Sequence, residues 1–276
     1  MEDIAPKLLE KIQKDFERNY LKNKAVAKLK EKLAKGMADY KDGHAFAIEI
    51  GTLLAEAFQD NISSKILPDG KMYYNIADRI IRPMLKEDFK LISEHSAEIQ
   101  EVLNKKAKIK IKAIKPEMNE DKVQGIIDIV SGKEKFDEIA YMLNEPIINF
   151  SQAIVDDTVK VNAEFQSMSG MSPKIIRTSS GKCCEWCEKI AGIYDYEDAK
   201  KSDVFKRHRS CVCLVEFVTS KKIQNVHSKK RSKKEEIEKR IQNSFTKNKE
   251  INRKTKAQAK ALQEKLKKEM SEKKGR

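Results

Sequence analysis

GKCCEWCEK at residues 181–189 and FKRHRSCVC at 205–213 are the two stretches on which the reading of this chain turns. All 5 cysteines lie in them. Stripped of intervening residues they give Cys184-x2-Cys187, a loop, then His208-x2-Cys211-x-Cys213. Two tight pairs of soft ligands joined by a loop are what tetrahedral zinc requires, because each close pair sets two side chains on one ion with little loop entropy to overcome. Six donors compete for about four places. Cys184, Cys187, His208 and Cys211 are the first choice, with Cys213 the alternative for the last position and Cys183 expected to pack beside the site. A site closed by protein ligands leaves no position for water, so the expected zinc is structural and the expected protein is not an enzyme.

Other chemistries fit these residues less well. Disulfides sit poorly with an odd cysteine count and with an acidic start, Met1-Glu2-Asp3, that does not resemble a signal peptide. A nucleophilic pair of Cys183 or Cys184 with His208 lacks a marked oxyanion hole or an orienting partner. A thioredoxin-like redox site would follow a strand in a βαβ context, which the rest of the chain does not supply. HNH-type nuclease chemistry needs a general-base histidine and further His or Asn near the cysteine pairs, and none lies between Cys187 and His208. His44, His95 and His227 are isolated in sequence and read as surface or capping residues; Glu185 and Glu188 flank the first pair and are expected to orient or solvate it. Asp156 and Asp157 are helix neighbours pointing about 100° apart, a poor arrangement for one shared metal.

Outward from the cysteines the chain reads as helix. Leu8, Ile12, Phe16 and Tyr20 recur at i+4 and continue through Leu29 and Leu33 to a stop at Gly36, which predicts one long helix. Residues 45–60 and 72–104 repeat the pattern on either side of a Pro68-Asp69-Gly70 turn, with Pro83 expected to start or kink the second part of the latter. KKAKIKIKAIK at 105–115 alternates lysine with Ala and Ile and fits helix or strand equally. Asn119-Glu120-Asp121 reads as a helix start, Phe136 to Leu143 as a short helix, and Pro146 to Met168 as a long one leaving at Gly170. Strand signals are confined to Lys174–Arg177 and Cys211–Val218. The expected fold is mainly α with a small α+β zinc-stapled module. The expected organisation is a helical body over 1–140, the module over 141–220, and a Lys-rich tail over 221–276 that is helical or disordered.

Charge follows the same division. Residues 221–276 hold 21 Lys and Arg against 7 Glu, so the whole formal net charge of +14 belongs to them and the first 220 residues balance. A Lys-rich arm neutralises phosphates regardless of sequence, which makes non-specific contact with double-stranded DNA the expectation for 221–276. No apolar run approaches the length of a membrane span. No phosphate-binding Gly-rich loop or nucleophile elbow appears.

GKCCEWCEKIAGIYDY followed by DVFKRHRSCVCLVEF resembles the C-terminal module of phage head morphogenesis proteins of the MuF-like minor capsid family. In that family a Cys-x2-Cys element precedes a His-x2-Cys-x-Cys element and a closing strand. The long helix, the break at Ser169-Gly170 and the strand at Lys174–Arg177 lie in the family's order, so the resemblance covers about residues 140–218. Arg209 and Val212 stand where the family often has Pro and Arg, and Asp156-Asp157 where an Arg/Glu pair is frequent. The resemblance implies a structural protein of the virion head interior, present in the host cytoplasm during assembly. Its implied partners are the portal protein and a scaffold or major capsid protein, with a role in head morphogenesis and in DNA packaging or ejection. The competing expectation is a zinc-dependent DNA-binding protein or an HNH-like nuclease.

Overall fold

Asn23 interrupts the first expected helix. In the computed structural model, which describes residues 3–179 and 184–220, the stretch to Gly36 forms α1 (Ala5–Lys22) and α2 (Lys24–Ala34). Asn23 is extended, and its side-chain oxygen accepts from the Val26 amide at 2.9 Å, a cap that starts a new helix within an unbroken apolar pattern. Gly36 ends α2 as expected, with φ 66° and the paired bonds Gly36 N–H to Leu33 and Met37 N–H to Lys32 that close a helix C-terminus. A capping box of Asp39 and Asp42 opens α3 (Tyr40–Asn61).

The remaining body helices are α4 (Tyr74–Lys106), α5 (Glu120–Ser131) and α6 (Glu145–Met168). Pro83 lies inside α4, which continues through it; the residue is half-buried, and buried Met84 and Leu85 on one side and Ile80 and Ile81 on the other hold the helix to the core. Asn119 caps α5, accepting from the Lys122 amide at 2.9 Å. The helix expected over Phe136–Leu143 is instead two short 3-10 turns, Phe136–Glu138 and Ala140–Leu143. The 105–115 segment is neither of the two options its alternation allowed: α4 ends at Lys106, and residues 109–119 form no helix or strand.

Buried side chains of α1 (Ile12, Phe16), α3 (Phe46, Ile50, Phe58), α4 (Ile80, Met84) and α6 (Val155, Val159) join Ile175, Val215 and Phe217 in one continuous core. The helical body and the cysteine module thus share their interior, and residues 3–179 and 184–220 fall in a single compact unit. Gly51 allows the tightest helix contact: a Cβ there would stand 3.0 Å from the Ile148 Cα and 2.6 Å from the Ser151 Oγ of α6.

Three antiparallel strands complete the fold in the order β2-β1-β3, with β1 (Ser172–Thr178) central, β2 (Gly192–Asp195) and β3 (Leu214–Ser220). Short helices α7 (Glu185–Ile190) and α8 (Tyr196–Lys200) flank β2. Cys211–Cys213, expected within a strand, precede β3 rather than belong to it. Because β1 runs opposite to both neighbours, its last residues lie beside the first residues of each: Arg177 pairs with Gly192 and with Val215. That end of the sheet carries the cysteines. The tail expectation, Cys183 and His227 lie outside the described residues.

Candidate metal centre

Local geometry brings each ligand to the sheet end. Cys184 stands just before α7 and Cys187 on its first turn, with Glu188 N–H donating to the Cys184 carbonyl at 3.1 Å. Ser210 takes the left-handed conformation, φ 57°, and folds His208-x2-Cys211 into a tight turn closed by Cys211 N–H to the His208 carbonyl at 3.2 Å. Cys213 immediately precedes β3.

The donors form two overlapping groups, Cys184–Cys187–His208 and Cys187–Cys211–Cys213, each with ligand atoms within 4.8 Å of one another. Cys187 belongs to both. The His208 Nε2 lies 3.2 Å from the Cys184 Sγ and 2.8 Å from the Cys187 Sγ, and the Cys187 and Cys211 sulfurs are 3.8 Å apart. Zinc–sulfur bonds of about 2.3 Å in a tetrahedron would separate two sulfurs by about 3.8 Å. Cysteine and histidine groups at these distances could hold a metal ion. The described cysteines are all free thiols, with Cys187, Cys211 and Cys213 buried and Cys184 exposed.

The surroundings suit a metal ligand set. The His208 Nδ1 lies 2.6 Å from the Arg209 carbonyl, so Nδ1–H donates there and the lone pair of Nε2 faces the sulfurs, the orientation that fixes a ligating imidazole. The hydrogen bond from Cys213, with the charges of Arg207 and Arg177 behind it, pulls the Cys211 thiol down toward thiolate. Burial pushes Cys187 the other way. Trp186 packs edge-on to His208 at 5.5 Å and stands 5.6 Å from the Arg177 guanidinium, so the chain's one tryptophan reports on this site.

Two buried arginines frame the sulfurs. Arg177 is fully buried; its Nη1 donates to the Val204 and Lys206 carbonyls at 2.5 and 2.9 Å, and its Nη2 lies 3.5 Å from the Cys211 Sγ and 3.9 Å from the Cys187 Sγ. Arg207 forks onto Asp156 of α6, with Nη2 at 2.9 Å and Nε closer still, and Nη1 donates to the Gln152 Oε1 at 2.8 Å. It also donates to the carbonyls of Cys211 and Cys213 at 3.3 and 3.0 Å. His44 of α3 completes the network: its Nε2 donates to the Val215 carbonyl at 3.1 Å while Nδ1 accepts from Arg207 at 3.3 Å. The helical core therefore grips the ligand loop by its backbone.

Arg177, Arg207, Asp156 and His44 escape sequence reasoning. His44 and His95 are buried rather than surface or capping residues; His95 stacks on Phe46 with ring centroids 3.8 Å apart. Asp156 serves a guanidinium rather than a metal, and Asp157 is half-buried beside it. Glu185 and Glu188 are exposed. A lone arginine in a strand and one of two in KRHR carry no local signal of burial. Among the described residues no helix is long and apolar enough to cross a membrane. No protein-family model, no curated protein and no solved structure matches the chain.

Proposed function

We propose that the chain is a non-enzymatic phage head protein of the MuF-like minor capsid type, in which one structural zinc staples the ligand loop to the helical core. The observation that supports this most is the convergence of the two Cys/His elements at one sheet end, followed at once by β3, in the order of the family's motif. Zinc is the metal proposed because thiolates and a neutral imidazole in tetrahedral reach suit it best. Cys187 is the shared ligand, joined by Cys184, His208 and Cys211, with Cys213 able to replace one of them as it lies in the second group. The metal would supply no reaction. Its role would be to tie α7 to the loop before β3, while Arg177 and Arg207 balance the thiolate charge and orient the loop.

A portal protein is the proposed partner, and the virion head interior the proposed location. The test co-expresses the full chain with the portal protein encoded in the same genome. Co-elution of the two, with the chain recovered in purified particles, is the expected result. Separate elution and absence from particles would overturn the reading, and metal-dependent plasmid cleavage by the same preparation would favour a nuclease.

A further inference from the structure

The strap after α4 concentrates lysines in a run that contains no acid. Residues 105–115 hold six lysines and no acid, within a 220-residue stretch whose charges balance overall, so the remainder of that stretch has six more acidic than basic residues. Lys105, Lys106, Lys108, Lys110 and Lys112 are all exposed and make no ion pair among the described residues; Lys115 pairs with Glu94 at 3.4 Å. Some lysines elsewhere are engaged, as Lys32 is with Asp42, Lys71 with Glu134 and Lys200 with Glu164, but among the described residues no other run of eleven holds six lysines and no acid.

The strap is built, although it belongs to no sheet. The Asn104 side chain donates to the Ile111 carbonyl at 2.8 Å, and the Glu101 carboxylate accepts from the Ala113 amide at 2.6 Å. Asn162 of α6 both accepts from the Ile114 amide at 2.8 Å and donates to the Ile114 carbonyl at 2.7 Å. Asn104 is held in turn by Gln100 at 2.6 Å and Gln166 at 3.3 Å. Lys108 turns the chain through the left-handed region, φ 55°, and beyond it Ile109, Ile111 and Ile114 lie half-buried while Lys110 and Lys112 face out. The anchored backbone thus holds the exposed lysines on one side of a fixed stretch of chain. Between the strap and the last turns of α4 runs a groove of about 510 Å³ floored by Val102, Asn104 and Ile109. Glu101, its one acidic lining residue, is engaged by the Ala113 amide.

We propose that this strap is a binding surface for the phosphodiester backbone of double-stranded nucleic acid, separate from the 221–276 arm and independent of the head-protein reading. Lysines are point charges suited to phosphate, and the lining holds no aromatic ring for base stacking and no arginine fork for base edges, so contact is with backbone and indifferent to sequence. With its backbone already anchored, the strap loses little backbone freedom on binding, unlike a free charge run.

The test measures affinity of the full chain for a short labelled duplex across a salt series. It compares the parent with a quadruple Lys106/Lys108/Lys110/Lys112→Gln variant and with a control carrying Lys11, Lys24, Lys28 and Lys65 changed to Gln. All eight side chains are exposed, and unchanged thermal melting confirms folding in each variant. The strap variant is expected to flatten the slope of log K against log salt by up to about 3.6, near 0.9 for each of the four phosphates that is no longer neutralised. The control should change it by less than about 1, and two duplexes of unrelated sequence should behave alike. Equal effects of the two variants, or an unaltered slope in the strap variant, would overturn the proposal. So would weakened binding to anionic vesicles with DNA binding unchanged, which would assign the strap to a lipid surface.

Discussion

Arg207 and Asp156 are the residues on which the position of the ligand loop depends. Their side chains are 4% and 1% exposed, and removing one partner of such a pair leaves the other charge buried without compensation. Asp156→Ala is therefore expected to lower stability in chemical denaturation by about 3–5 kcal/mol. Asp157→Ala, one residue on and paired with no guanidinium, should stay within about 1 kcal/mol of the parent. Equal losses would mean that the helix, and not the pair, carries the effect. Little of this is legible in the sequence. Arg207 and Arg209 flank His208 symmetrically, yet one is buried on Asp156 and the other pairs at the surface with Glu145 at 2.5 Å. What holds Arg207 inward is long-range, its bonds to Asp156 and Gln152 of α6 and to His44 of α3.

Helices α3, α4 and α6 meet where Gly51 lets Ser151 approach, and Ser151 donates to both oxygens of Asp88, at 3.1 and 2.9 Å. Burial pushes the Asp88 carboxyl up to about 8, whereas an unfolded aspartate titrates near 3.9. Between those values the folded chain holds a proton that the unfolded chain has lost, so this contribution is full below about pH 4 and declines as pH rises to about 8. His44 and His95 act with the opposite sign. Burial lowers both to about 4, so the unfolded chain takes up their protons first and stability falls as pH drops from about 6.5 to about 4. The three groups together place a stability maximum near pH 6.5. Asp88→Asn should abolish the decline from there to about pH 8, read from denaturation midpoints across pH; parallel curves for variant and parent would contradict the assignment. Of the elements themselves, periodicity locates the long helices, and Gly36, Asn119 and Gly170 mark ends that local chemistry dictates. It misses the Asn23 break, where apolar spacing runs on through a cap, and β2, whose four residues are too few to show a period. It cannot assign the strap, whose backbone is satisfied by side chains of α4 and α6 instead of a neighbouring strand.

At the scale of the molecule, the spacing of the cysteines and His208 is the part of the site that sequence conveys, because two short-range pairs suffice to suggest one ion. What joins them to the helical core is long-range: His44 and Asp156 reach the ligand loop from positions 163 and 51 residues away along the chain. The central claim is that one zinc ion joins the two Cys/His elements. Its most direct measurement is elemental analysis of the full chain purified without added metal, with Trp186 emission followed during chelation of the same sample. The account predicts close to one zinc per chain, a shift in Trp186 emission as chelator removes it, and loss of both in Cys187→Ser, since structural zinc contributes ~10–16 kcal/mol of apparent binding energy. A metal-free chain whose Trp186 emission ignores the chelator would contradict it.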